Sequence, residues 1–111
     1  MQEVYSLLGE ADILVIASPI YYHGVSGQLK YALDHFYSAA YPRKPRNLKK
    51  VAMILSSGDP KMYDGAMFSY KGDFWEYLGL IDMGVFTAYG MENGSASKLK
   101  ELRDFGKNLK S

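Results

Sequence analysis

The sequence predicts an α/β protein built on a parallel sheet covered by helices on both faces. Three short runs, Ile13–Ala17, Val51–Leu55 and Val85–Tyr89, are almost continuously apolar and rich in β-branched or aromatic side chains, the pattern of strands buried on both faces. Helical stripes alternate with them, and the first two runs lead into polar loops containing glycine and proline. An order of helix, strand, helix, strand, helix, strand, helix implies right-handed crossovers and parallel neighbours.

Val4, Leu7, Leu8 and Ala11 stand at i, i+3, i+4 and i+7 and mark a short opening helix. After the first strand, Ser18–Gly24 forms a loop, and Leu29, Leu33, Phe36 and Ala40 line a second helix. Ser26 is placed to cap that helix, and Lys30 faces Asp34 at i+4. Pro42 and Pro45 end it within Tyr41–Arg46. The second strand runs into Ser56-Ser57-Gly58-Asp59-Pro60, a loop made of turn residues. Met67, Tyr70, Phe74, Tyr77 and Leu78 give a third helical stripe, weakened by Gly72 and stopped at Gly79. Beyond the third strand, Ser95 or Ser97 caps a last helix with Leu99, Leu102, Phe105 and Leu109 inward and its basic residues outward. Nothing upstream in the sequence reads as a strand to pair with the far edge of Ile13–Ala17, so either a partner, such as a second copy joined across a two-fold axis, covers that edge or the chain lacks its beginning.

At 111 residues the chain is one domain, residues 1–111. No apolar run approaches the length of a membrane span. With no cysteine, thiolate nucleophiles, disulfides and cysteine-ligated metal centres are excluded for this chain. The N-terminal residues lack a basic start followed by an apolar run, which points to the cytoplasm. Thirteen basic and twelve acidic residues create no field for nucleic acid, although Arg43, Lys44, Arg46, Lys49 and Lys50 crowd one stretch that reads as a solvated turn. Ten tyrosines, six methionines and one tryptophan suggest flat, polarizable surfaces facing a planar ligand or a partner.

In open parallel sheets ligands sit beyond the carboxyl ends of the strands. The loops to consider are therefore Ser18–Gly24, Ser56–Asp64 and Tyr89–Gly94. The first joins a rigid Pro19 to the aromatic pair Tyr21 and Tyr22 and to Gly24, where backbone can approach a ligand closely. That combination suits a flat heteroaromatic ring.

Ser18-Pro19-Ile20-Tyr21-Tyr22, followed by Val25-Ser26-Gly27-Gln28-Leu29-Lys30 and Asp34, resembles the flavodoxin-like NAD(P)H-dependent FMN reductases and the related iron–sulfur flavoproteins. Ala11-Asp12, Ser56-Ser57-Gly58 and Gly84-Val85-Phe86 with Gly90 extend the likeness along the chain. The resemblance implies a five-stranded sheet ordered 2-1-3-4-5 with FMN at the switch point. The chain matches that pattern from the family's second helix onward, which predicts a partial flavodoxin-like domain of three strands. The family's first two strands and its Ser/Thr-rich phosphate loop fall outside the match.

By the same resemblance, the ring of FMN would lie against Ser18, Pro19, Ile20, Tyr21, Tyr22, His23 and Gly24 on one side and Ser57, Gly58 and Asp59 on the other. The activity implied is hydride transfer from NADH or NADPH to FMN, then release of electrons to a small-molecule acceptor or a redox protein, by a homodimer. No side chain is required as acid or base, and none is assigned as catalytic. The alternative is a non-catalytic flavodoxin-like binding or electron-transfer module.

Plainer roles stand beside these. His23 either donates to the flavin or is an exposed spacer, and Tyr21 and Tyr22 either stack on the ring or pack beneath their loop. Asp59 before Pro60 reads first as a turn starter. Trp75, Phe74 and Tyr77 read as helix-face core or a dimer contact. Histidines at 23 and 35 with no cysteine give no metal-ligand spacing, and no Gly-x-Ser-x-Gly elbow is present.

Overall fold

A computed structural model of the chain describes residues 7–40 and 47–110, with side-chain environments for all of these except 36–40. Four strands form one sheet: β1 (Ile13–Tyr21), β2 (Gly24–Val25), β3 (Lys50–Ser57) and β4 (Ile81–Tyr89), in the order β2-β1-β3-β4. β1, β3 and β4 are parallel, as the alternation of elements predicts. The fourth strand is the surprise. β1 continues through the expected loop to Tyr21, turns on Tyr22 and His23, and returns as the two-residue antiparallel β2.

The helices are α1 (Gly27–Ala40), α2 (Asp64–Tyr70), a π-helix (Lys71–Tyr77) that prolongs α2, and α3 (Ala96–Lys107). A helical turn at 7–10 precedes them and buries Leu8. Val4 and the 41–46 segment, with Pro42, Pro45, Arg43, Lys44 and Arg46, lie outside the described residues. Ser26 caps α1 by accepting from Leu29 N–H at 3.2 Å, and Ser95 rather than Ser97 caps α3 by accepting from Lys98 N–H.

The core lies between the sheet and α2 with its π-helical extension: Ile16, Val51, Met53 and Leu55 meet Ala66, Tyr70 and Phe74. α3 covers the opposite face at β4, where the Phe86 and Phe105 rings are 5.8 Å apart. β3 is buried on both faces, Ala52 as fully as Val51 and Met53. β1 is not. Its burial alternates, with Ile16, Ser18 and Ile20 inside and Val15, Ala17 and Pro19 exposed. The expectation of a doubly buried first strand is corrected for a physical reason: α3 packs over β4, and among the described residues no helix covers that face of β1.

Two further expectations change. The third helical stripe loosens into π geometry at Lys71, next to Gly72, which leaves Tyr77 exposed while Tyr70 and Phe74 stay buried. On α3, Leu99 is half exposed, whereas Lys98 turns inward over the Phe86 ring at 5.2 Å and donates to the Thr87 carbonyl at 3.3 Å.

β4 starts four residues earlier than its apolar run and carries an irregularity opposite Val51 and Met53. Gly84 accommodates it at φ +121, where an added Cβ would come within 3.1 Å of the Phe105 ring. Asp82 accepts from Gly84 N–H at 2.9 Å and from the Tyr70 hydroxyl at 2.7 Å, and that hydroxyl also points at the Val51 carbonyl at 3.1 Å. Burial, with the bond to Asp82 adding to it, pushes the Tyr70 hydroxyl well above its usual pKa.

Candidate functional site

Because the three long strands are parallel, their carboxyl ends share one edge, and the loops that follow them meet there. Ser57 stands beside Tyr89 in the strand register, and Ser56 beside Pro19. Asn93 Nδ2 donates to the Ser57 carbonyl at 3.1 Å, tying the third loop to the second. Glu92 accepts from Tyr89 N–H at 3.1 Å and pairs with Lys98 at 3.3 Å, which ties that loop to α3. Hydrogen bonding to Glu101 first, and then to Glu92, holds the Lys98 ammonium above its ordinary pKa against the opposing effect of desolvation.

The first loop is a tight hairpin. Tyr22 and His23 both take positive φ, 48° and 69°, the two left-handed central residues of a type I′ turn, which usually fall to Asn and Gly. Holding two residues with Cβ atoms there costs about 1–2 kcal/mol each. The rest of the corner pins the turn. Ser18 Oγ accepts from Ser26 N–H at 2.9 Å and donates to the Pro19 carbonyl, joining the strand to the start of α1. The His23 carbonyl accepts from Ala66 N–H at 3.1 Å, and a Cβ at Gly65 would come within 2.5 Å of that same oxygen. Gly65 is therefore the residue that lets the hairpin dock on α2.

The ten residues singled out in the sequence divide into a frame and a presented surface. Ser18, Ile20 and Ser57 are buried; Gly24 is half buried; Pro19, Tyr21, Tyr22, His23, Gly58 and Asp59 are exposed. Tyr21 is 61% and Tyr22 96% exposed, so neither packs beneath its loop. Ser57 Oγ donates to the Asp59 carbonyl at 2.7 Å and lies 2.8 Å from the Tyr63 hydroxyl, which reaches the Ala88 carbonyl at 3.1 Å. Asp59 Oδ1 accepts from Lys61 N–H at 2.8 Å, the turn-forming role.

At this edge Tyr21 and Tyr22 are exposed, and a Cβ at Gly58 would meet nothing within 4 Å, leaving the backbone there open to close approach. The buried hydroxyls of Ser18 and Ser57 are engaged within their own loops. Among the described residues no Ser/Thr-rich or Gly-rich anion loop stands ready for a phosphate, and no three His, Cys, Asp or Glu side chains are grouped to hold a metal.

Residues 1–106 match the family described as NADPH-dependent FMN reductase. The chain belongs to this family. A curated relative, the FMN-dependent NADH:quinone oxidoreductase of Delftia acidovorans (strain DSM 14801 / SPH-1), is 29% identical over 108 residues, which cover 83% of this chain and 50% of the relative. The chain thus spans about half the length of that relative. Two solved structures share the architecture at a TM-score of 0.71: the Trp repressor binding protein of Bacillus subtilis, 20% identical, and a thermophilic tryptophan halogenase attributed to Streptomycin violaceusniger, 21% identical. Each alignment covers 99% of this chain, with 78% and 73% of the respective partner. The fold is flavodoxin-like, with one more short strand than the sequence indicates.

Sequence reasoning missed Tyr63, Gly65, Glu92, Asn93 and Lys98. The Asn93-Gly94 pair carried a turn signal. For Gly65 and Tyr63 no local signal exists, because their roles depend on backbone from distant segments.

Proposed function

We propose that this chain supplies the ring-holding edge of an FMN-dependent oxidoreductase that draws hydride from NADH or NADPH and passes electrons to a small acceptor such as a quinone. The observation that carries this reading is the exposed Tyr21-Tyr22 turn and the open backbone of Gly58, on loops that leave β1 and β3 just past their Pro19–Ser56 pairing at the shared carboxyl edge. Family membership and the name of the Delftia relative support it. Bound FMN would supply the hydride and electron chemistry. Backbone from Pro19 to Tyr22, with His23 and Gly24 completing the turn, meets one side of the ring, and Ser57–Asp59 meets the other. Tyr21 and Tyr22 shield the ring from water, and the anchored third loop keeps the edge rigid.

The direct test is a fluorescence titration of the purified chain with FMN, with riboflavin as a phosphate-free control. Similar micromolar affinity for both flavins is expected, since the described loops present a ring surface without a phosphate cradle. Failure to bind either flavin favours the second reading, a flavodoxin-like module without turnover.

A cytoplasmic homodimer completes the proposal. The outer edge of β1 below Ile20 has no partner strand among the described residues, and Val15 beside it is 43% exposed. Such an edge invites pairing with a second copy. Sedimentation as a stable monomer at micromolar concentration refutes the dimer.

A further inference from the structure

A cavity of about 650 Å³ opens between α1 and the α2–π-helix segment, on the core face of the sheet. Of the residues assigned to the flavin edge it touches only Gly24. Small residues line it: Gly24 on β2 and Gly65, Ala66 and Ser69 on α2. The π-helix contributes Asp73, Phe74 and Tyr77 to the lining, and π-helical segments recur at functional sites.

The apolar lining with surface to offer is Val25, Leu33, Leu78 and Tyr77, over a deeper layer of Ile16, Met53, Tyr70 and Phe74 that is at most 4% exposed. Among the described residues the charged groups are Lys30, Asp34 and Asp73. Lys30 donates to Asp34 at 2.5 Å and is thereby occupied. Asp73 makes no ion pair within 4.0 Å among the described residues and feels the Lys30 ammonium only at longer range, so the described lining carries two carboxylates to one ammonium. A volume in this range suits a small organic molecule, and an apolar floor with a few polar groups is the usual composition of such a site.

We propose that this cavity binds a small aromatic amine, its ring against Leu33, Leu78 and Tyr77 above the buried Met53–Phe74 layer and its ammonium paired with Asp73. An aromatic carboxylate of the same size would place a second negative charge beside Asp73 and is excluded. The site is independent of the flavin reading, since its lining leaves out Ser18–His23 and Ser57–Asp59.

The test follows the methyl signal of Met53, assigned through Met53→Leu, in the full chain labelled with 13C-methyl methionine, during titration with 2-phenylethylamine and in parallel with phenylacetate. Saturable movement of that signal with the amine and none with the acid is expected. Asp73→Asn should weaken the amine about tenfold, the loss of one charge-assisted hydrogen bond. Ser69→Trp, at an exposed position that lines the cavity, should block the entry and abolish the shift. Equal response to both probes, no response to the amine at millimolar concentration, or full affinity in either variant overturns the proposal. Riboflavin binding by the same sample is read separately, so failure of one site does not count against the other.

Discussion

β1 and β3 are written in nearly the same alphabet, Ile-Leu-Val-Ile-Ala against Val-Ala-Met-Ile-Leu, and they lie side by side in register. Val51, Ala52, Met53 and Leu55 are almost wholly enclosed, yet Val15 and Ala17 face outward. An apolar run states that a strand can be buried on both faces; which faces are covered depends on what packs there. β3 lies between two strands and beneath helices on both sides, whereas β1 has the short β2 on its outer edge and helix cover on one face only. The interior strand therefore carries stability, and the outer strand carries the loop.

This contrast is sharpest under truncation. Leu55→Ala removes a side chain that is 1% exposed, with an expected loss of about 2–5 kcal/mol from lost transfer energy plus the cavity left behind. Urea unfolding, read as a fall in midpoint at unchanged slope, measures it. A loss under about 1 kcal/mol would mean that the β3 region repacks freely, well outside that range.

Gly65→Ala probes the outer strand through its loop. The added Cβ would stand 2.5 Å from the His23 carbonyl oxygen, which is backbone and cannot swing aside as a side-chain tip can. Either α2 or the hairpin must move, at an expected cost of about 1–3 kcal/mol. Because the displaced element carries Tyr21 and Tyr22, riboflavin affinity should fall further than Leu55→Ala reduces it. Unchanged stability and affinity would show that the hairpin is not held by this contact.

Tyr70→Phe comes next, with an expected loss of about 1–3 kcal/mol from leaving Asp82 and the Val51 carbonyl without their donor. It also has a signature in pH. The Tyr70 hydroxyl titrates higher in the folded chain than its ordinary value of 10.0. Above that value the unfolded chain gives up this proton while the folded chain keeps it. The unfolded state then binds fewer protons, so stability falls as pH rises, by at most about 1.4 kcal/mol per pH unit for one group. Lys30 and Lys98, both titrating above their ordinary value, act in the same alkaline direction, though Lys30 is exposed and contributes little. The steep part of the alkaline decline should disappear in Tyr70→Phe when thermal melting is followed across this range.

The parts of the fold legible from the sequence were those set by local pattern. The three parallel strands, the caps at Ser26 and Ser95, and the turn role of Asp59 all depend on residues within a few positions of one another. What escaped depends on distant neighbours. β2 arises because the chain doubles back on Tyr22 and His23, residues with no preference for positive φ, and is held by Ala66 on another element. The inward turn of Lys98 needs Phe86 and Glu92 already in place. In the candidate site, the tyrosine pair stood out in the sequence but its exposure did not, and the internal hydrogen bonds of Ser18 and Ser57 were hidden because a serine in a loop looks the same whether it faces a ligand or its own backbone.

The smallest expected effect belongs to Val15, and it bears most directly on the difference between the strands. Val15→Thr keeps the shape and β-branching of the side chain and replaces one methyl with a hydroxyl. On a solvated face the hydroxyl stays hydrated, so the change in stability should remain within about 0.5 kcal/mol. If the same face is covered by a second copy of the chain, the hydroxyl is buried without a partner and costs about 1–3 kcal/mol. Urea midpoints measured across a range of protein concentration separate these cases, because only a covered face makes the penalty grow with assembly. A small penalty independent of concentration leaves β1 as a bare outer strand. A large one that appears with concentration places β1 at an interface and makes its exposure a property of the isolated chain.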